Sequence, residues 1–336
     1  MPEARDPIPE SLLPALRALV EAGRFGEALE RHRRASGETW ARRPEAELLA
    51  ATAAMRLGDL DAAEQLVRGA LRQFALRADA DGRMRAENLL GALLFERGEL
   101  DGADHAFGEA LRLARMLGDA QMQARASNNV ASVAHLRGEP ERALGLYREA
   151  LQGYQRLGDR RGTAETWHNL GLSFRQLAAW HEAESATVES LRHAELVGEG
   201  SLLALAVMGR AELELERGHL EVAERTLDRA ATLAEQSGDE IGTVEVLRLR
   251  ALLALRLGDH ARAAATAEHG RHVADTMGAA LVAAECTAVE ALARQRMQET
   301  ARAEALRDAA LAGFARLGAV GLTSRLLQDW AMPRAE

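Results

Sequence analysis

The side chains best able to do chemistry in this 336-residue chain are amides, guanidiniums and imidazoles rather than nucleophiles. There are four asparagines, Asn88, Asn128, Asn129 and Asn169, all inside stretches that read as helix. Asparagine is a mediocre helix former, normally kept for caps and turns, so this placement opposes local propensity. A side-chain amide offers two donors and an acceptor, enough to clamp the backbone of an extended peptide. Arg85, Arg125 and Arg175 stand near these amides in register. Their forked guanidiniums suit acidic side chains or a terminal carboxylate. His135 and His168 add groups that ordinarily titrate near neutrality, and Met208 shares a phase with Asn128 and His168. Together these ten residues make the candidate peptide-binding set.

Chemistry of other kinds is hard to assemble. All 42 basic residues are arginine, so no Walker A lysine, Schiff-base lysine or Ser-x-x-Lys pair exists. No serine has glycine both two before and two after it, as a nucleophile elbow requires. Gly198-Glu199-Gly200 follows a helical stretch rather than a strand and is no dinucleotide loop. His269 and His272 share a helix face, with no further metal ligands close in sequence. The single cysteine, Cys286, permits no intrachain disulfide and reads as a small buried hydrophobe. The expectation is a protein that is not an enzyme and needs no cofactor or metal. A net charge of −9 argues against nonspecific nucleic-acid binding. The first residues lack the apolar core of a signal peptide, and no apolar run is long enough to span a membrane. A cytoplasmic location is expected, which one cysteine also suits.

The elements that must position these groups repeat. Stepping by twenty from Gly58, eleven of fourteen slots hold glycine, the misses being Ala78, Ala178 and Gln298. With 29 glycines in the chain, roughly one would fall there by chance. Asp or Glu follows many of them, as at Gly58-Asp59, Gly158-Asp159 and Gly258-Asp259. Glycine ends a helix in the left-handed conformation, and the acid caps the next one. A second series has a period of forty: Ala63, Ala103, Ala143, Ala183, Ala223, Ala263 and Ala303. A small residue at one fixed phase predicts close approach of two helices. Seven units of forty residues result.

In that frame, Trp167, Leu170, Gly171, Phe174 and Ala183 resemble the tetratricopeptide-repeat signature. Phe174 stands for the usual tyrosine, Thr187 for an aromatic, and the closing proline is missing. A forty-residue period, longer than the usual thirty-four, is similar to the repeats of kinesin light chains, spindle-orientation adaptors and bacterial peptide-sensing regulators. The resemblance implies an all-α fold, a right-handed α-solenoid of antiparallel helix pairs, whose first helices line a concave groove. Residues 1–42 are expected to hold a capping helix pair broken at Gly23, with Trp40 and the stretch 38–43 bridging to the array. Residues 43–318 hold the seven units, and 319–336 a capping helix with a stripe of Val320, Leu322, Leu326, Leu327 and Trp330.

Groove positions then follow by phase. Arg85, Arg125, Glu165, Leu205 and Glu245 share one; Asn88, Asn128, His168, Met208 and Arg248 the next; Phe95, His135, Arg175 and Leu215 another. The first three units read as polar and basic, while Leu205, Met208 and Leu215 make the fourth apolar. The expected ligand is a protein or extended peptide with a polar or acidic portion and an apolar one. Neither nucleic acid nor membrane is expected as a partner. A stand-alone sensor or regulator acting in trans, and a self-assembling scaffold, are the alternatives.

Overall fold

The computed structural model describes residues 12–34 and 43–331. Among them are seventeen helices and no strand. A short pair, α1 (Leu12–Glu21) and α2 (Phe25–Arg34), comes first. The pairs α3 (Pro44–Arg56) with α4 (Leu60–Leu76) and α5 (Ala80–Glu96) with α6 (Leu100–Leu117) follow. Next are α7 (Ala120–Leu136), α8 (Pro140–Leu157), α9 (Arg160–Gln176) and α10 (Trp180–Val197). Then come α11 (Gly200–Glu216), α12 (Leu220–Ser237), α13 (Glu240–Arg256) and α14 (His260–Met277). The described chain closes with α15 (Ala280–Arg296), α16 (Thr300–Arg316) and α17 (Val320–Ala331). Trp40 and the bridging residues 38–42 lie outside the described residues. No helix among those described is long and apolar enough to cross a membrane.

Every slot of the twenty-residue comb is a left-handed turn. The eleven glycines have φ between +62° and +80°, and the three exceptions obey the same geometry: Ala78 at +52°, Ala178 at +54° and Gln298 at +64°. The turn is thus imposed by the helix pairing, and glycine is the residue that meets it without steric cost. The aspartates beyond the turns are N-caps: Asp79, Asp159 and Asp239 each accept from the backbone N–H three residues on, at 2.9 Å, whereas Glu139, Glu199 and Glu299 make no side-chain cap bond. All seven alanines of the forty-residue series are fully buried.

The chain divides into two compact units, one of Met1–Arg97 with Asp101–Met122, the other of Gly98–Leu100 with Gln123–Glu336. In the first, Phe74 packs with Ala70 and Ala86, and its ring occupies the space that a Cβ at Gly82 would need, 2.1 Å away. Arg97 ties back to Asp61 and Glu64. In the second, Leu170 and Tyr147 are buried with Ala131, Ala143 and Ala186, while Trp167 and Phe174 are only partly buried at the margin of that cluster. Thr187, where an aromatic would be usual, is buried and donates to the carbonyl of Ala183 at 2.8 Å.

Two sequence expectations need correction. Leu215 is fully buried and Met208 is 6% exposed, both in one core cluster with Val207, Leu227 and Leu249, so the apolar stretch of the fourth unit is core rather than groove. The closing stripe also does less than expected. Only Leu326 of α17 is buried; Leu322 and Trp330 pack partly, while Val320 and Leu327 stay exposed.

Candidate functional site

In the second unit, α9, α11, α13 and α15 pack side by side as well as against their own second helices. That closer spacing makes the first-helix side the inside of the curve. Its side chains lie on the stripe that steps by three and four residues along each first helix. Where core packing would favour leucine, this stripe holds charges.

Arg175 of α9 is the hub. Its side chain is 7% exposed, Nη2 reaches Glu212 Oε2 at 2.6 Å, and Nη1 donates to the Gly209 carbonyl at 3.1 Å. Its Nε lies 3.5 Å from Glu216 Oε2, and neither of these buried atoms has a hydrogen-bond partner. On α13, Arg248 reaches Glu212 at 3.2 Å, Glu245 at 2.7 Å and Glu285 of α15 at 3.6 Å. Arg325 of α17 reaches Glu216 Oε1 at 2.9 Å. Four helices that are distant in sequence are therefore joined to α17 through one chain of guanidiniums and carboxylates.

Burial sets the electrostatics. It would raise the Glu212 carboxyl, but Arg175, Arg248 and Arg325 outweigh it and hold that carboxyl well below the usual range. Glu285 has weaker compensation: burial wins over Arg248, and Glu245 and Glu212 add to it, pushing the carboxyl up to about 7. Burial would lower the Arg248 guanidinium, but Glu245, Glu285 and Glu212 raise it well above its ordinary value. His135 and His168 are pushed down to about 4, by burial first and by Arg175 second. They are neutral near pH 7, and His135 Nδ1 sits 3.1 Å from Ser173 Oγ.

The sequence-predicted residues fall into three groups. Arg85 and Asn88 are in the first unit, where exposed Arg85 pairs with Asp81 at 2.9 Å. Arg125, Asn128, Asn129, His135, His168, Asn169 and Arg175 are in the second. Arg125 is exposed and meets the Tyr154 hydroxyl. Two of the asparagines bond between repeats: Asn169 Nδ2 donates to Asn128 Oδ1 at 3.4 Å, and Thr166 Oγ1 approaches the same oxygen at 3.3 Å. Met208 contributes to the core instead. Sequence reasoning missed Glu212, Glu216, Glu285 and Arg325. The signal was present, because Glu212 and Glu216 continue the i, i+4 stripe from position 208, and Glu285 repeats the phase of Glu165 and Glu245.

Gly209 shows how closely the inner helices approach. A Cβ there would lie 2.7 Å from His168 Nδ1, so glycine makes room for the imidazole while its carbonyl receives Arg175.

Residues 122–195 match the family model described as tetratricopeptide repeat. No curated protein matches the chain in sequence. Among solved structures, a Rap protein complexed with competence and sporulation factor is similar at TM-score 0.65 and 14% identity, covering 95% of this chain and 96% of that one. NprR in complex with its cognate peptide NprX gives 0.63 at 14% identity, over 89% and 84% of the two chains. A tetratricopeptide repeat protein from Parabacteroides merdae gives 0.52 at 24% identity, over 85% and 98%. At these identities the likeness is one of fold.

Proposed function

From the premise of a tetratricopeptide-repeat fold whose repeat sequence is matched at 122–195, we propose that this protein is a non-catalytic scaffold. It binds an extended peptide or a segment of a partner protein along the inner helices of the second unit. One observation carries this reading. The inner stripe of α9, α11, α13 and α15 is polar and charged where packing alone would place apolar side chains, and within it Arg175 Nε and Glu216 Oε2 meet only as a 3.5 Å ion pair, with no hydrogen bond to either buried atom. Buried polar atoms without hydrogen bonds cost about 1–3 kcal/mol each, and a ligand that lets this pair close recovers that energy on binding. The named complexes of Rap and NprR support a peptide as the class of ligand.

The test compares wild type with Asn128→Ala/Asn129→Ala/Asn169→Ala by affinity capture from lysate of the native organism and mass spectrometry. Circular dichroism first establishes that the variant remains helical. A partner held by wild type and lost by the folded variant supports the inner face. Equal capture by both refutes it and moves binding to the second helices or the ends.

A further inference from the structure

Resting on the inner-face reading, we propose that Glu216 and Glu212 form a guanidinium-binding subsite, which Arg325 of α17 fills in cis and an arginine of the bound peptide fills in trans. The argument begins with charge. Three guanidiniums, Arg175, Arg248 and Arg325, face four carboxyl groups, Glu212, Glu216, Glu245 and Glu285. Without Arg325, two guanidiniums face the four, in a setting where Glu212 and Glu216 are only 12% and 11% exposed. A buried carboxylate demands a partner, and a guanidinium is the side chain best shaped to supply one.

The occupant is open to exchange. Arg325 is 44% exposed, so solvent and a competing cation reach its end of the pair. The helix carrying it buries only Leu326, with Trp330 held by Gln295 donating to its carbonyl at 3.2 Å and by Arg307 over its ring at 4.9 Å. A second observation points to an incomplete site. Arg175 is more than nine-tenths buried, yet its Nε meets Glu216 Oε2 only as a 3.5 Å ion pair without a hydrogen bond. A ligand that moves Arg325 off Glu216 lets that carboxylate close on Arg175 while a new guanidinium takes Oε1. The preferred ligand is therefore cationic, carrying arginine. Arg175, which the sequence offered to an acidic ligand group, is instead paired within the chain.

Fluorescence polarisation with a labelled Ala-Ala-Arg-Ala-Ala peptide tests this on the full-length protein. The control carries citrulline, equal in shape but uncharged, in place of arginine. Arg325→Ala is expected to bind the arginine peptide at least tenfold more tightly than wild type does, with no comparable gain for citrulline. Adding Glu216→Gln should abolish the gain. Arg325→Gln keeps the side-chain stem and serves if near-ultraviolet dichroism shows that Arg325→Ala unseats α17. The same binding by wild type and both Arg325 variants, including no binding, or equal binding of the two peptides, overturns the subsite. Loss of the captured partner in the triple asparagine variant alongside that result would reject the subsite and leave the scaffold reading standing.

Discussion

Ala178 and Gln298 hold left-handed backbone at φ +54° and +64°, where the comb elsewhere uses glycine. Both side chains are exposed, so replacing them removes no packing. A non-glycine residue in this region costs about 1–2 kcal/mol. Glycine returns about 0.4–1 kcal/mol of that through greater freedom of the unfolded chain. Ala178→Gly should thus stabilise by about 0.5–1 kcal/mol, and Ala178→Gly/Gln298→Gly by about 1–2 kcal/mol. For a unit of this size that raises Tm by about 2–8 °C. Gly198 supplies the reciprocal experiment: at φ +75° with nothing within 4 Å of a built Cβ, Gly198→Ala meets only backbone strain and should lower Tm by a similar amount. Three of the four tryptophans, Trp167, Trp180 and Trp330, lie in the second unit, so tryptophan fluorescence during heating mainly follows the right part of the molecule. If glycine destabilises at 178 and 298, or alanine is neutral at 198, the turn geometry does not govern these junctions and the reasoning is wrong.

Other perturbations probe the inner network and the packing. Arg175→Ala leaves Glu212 and Glu216 buried beside fewer cations and should cost about 3–5 kcal/mol in urea denaturation; a cost under about 1 kcal/mol would show the pairs to be solvated. Glu290 is fully buried among Arg271, Arg294 and Arg302, at 3.1–3.6 Å, so Glu290→Ala should cost a similar amount, read from the same curves. The pH dependence has two opposed parts. His135 and His168, depressed to about 4, contribute stability that is present above pH 6.5 and lost as pH falls through about 4. Glu285, raised to about 7, contributes stability that is present below its ordinary carboxyl range and lost as pH rises through about 7. Glu285→Gln should therefore make the slope of Tm against pH more positive between pH 5 and 7, and an unchanged slope would refute that assignment. Ala183→Leu should overpack the helix crossing by about 1–3 kcal/mol, measured by thermal denaturation.

Helix positions, turns, caps and the buried alanine series were legible in the residues because each is a local or periodic condition. A left-handed turn every twenty residues selects glycine, Asp159 caps the helix that begins beside it, and Ala183 must be small whatever partner the protein has. The three slots without glycine read as misses in the comb, and only the backbone shows that Ala78, Ala178 and Gln298 make the same turn. The inner face was only half legible. Phase placed Arg175, His168, Glu245 and Arg248 on the first helices, yet gave no means of telling a charge that meets a ligand from one that meets the next repeat. Arg175 pairs with Glu212 across 37 positions, and Arg325 meets Glu216 across 109. Likewise, Met208 shares a phase with Asn128 but turns into the core. Such outcomes depend on how closely successive helices approach and how they rotate against each other. Those quantities are set by packing summed over many units, and only the tertiary structure decides which opposite charges lie close enough to neutralise one another.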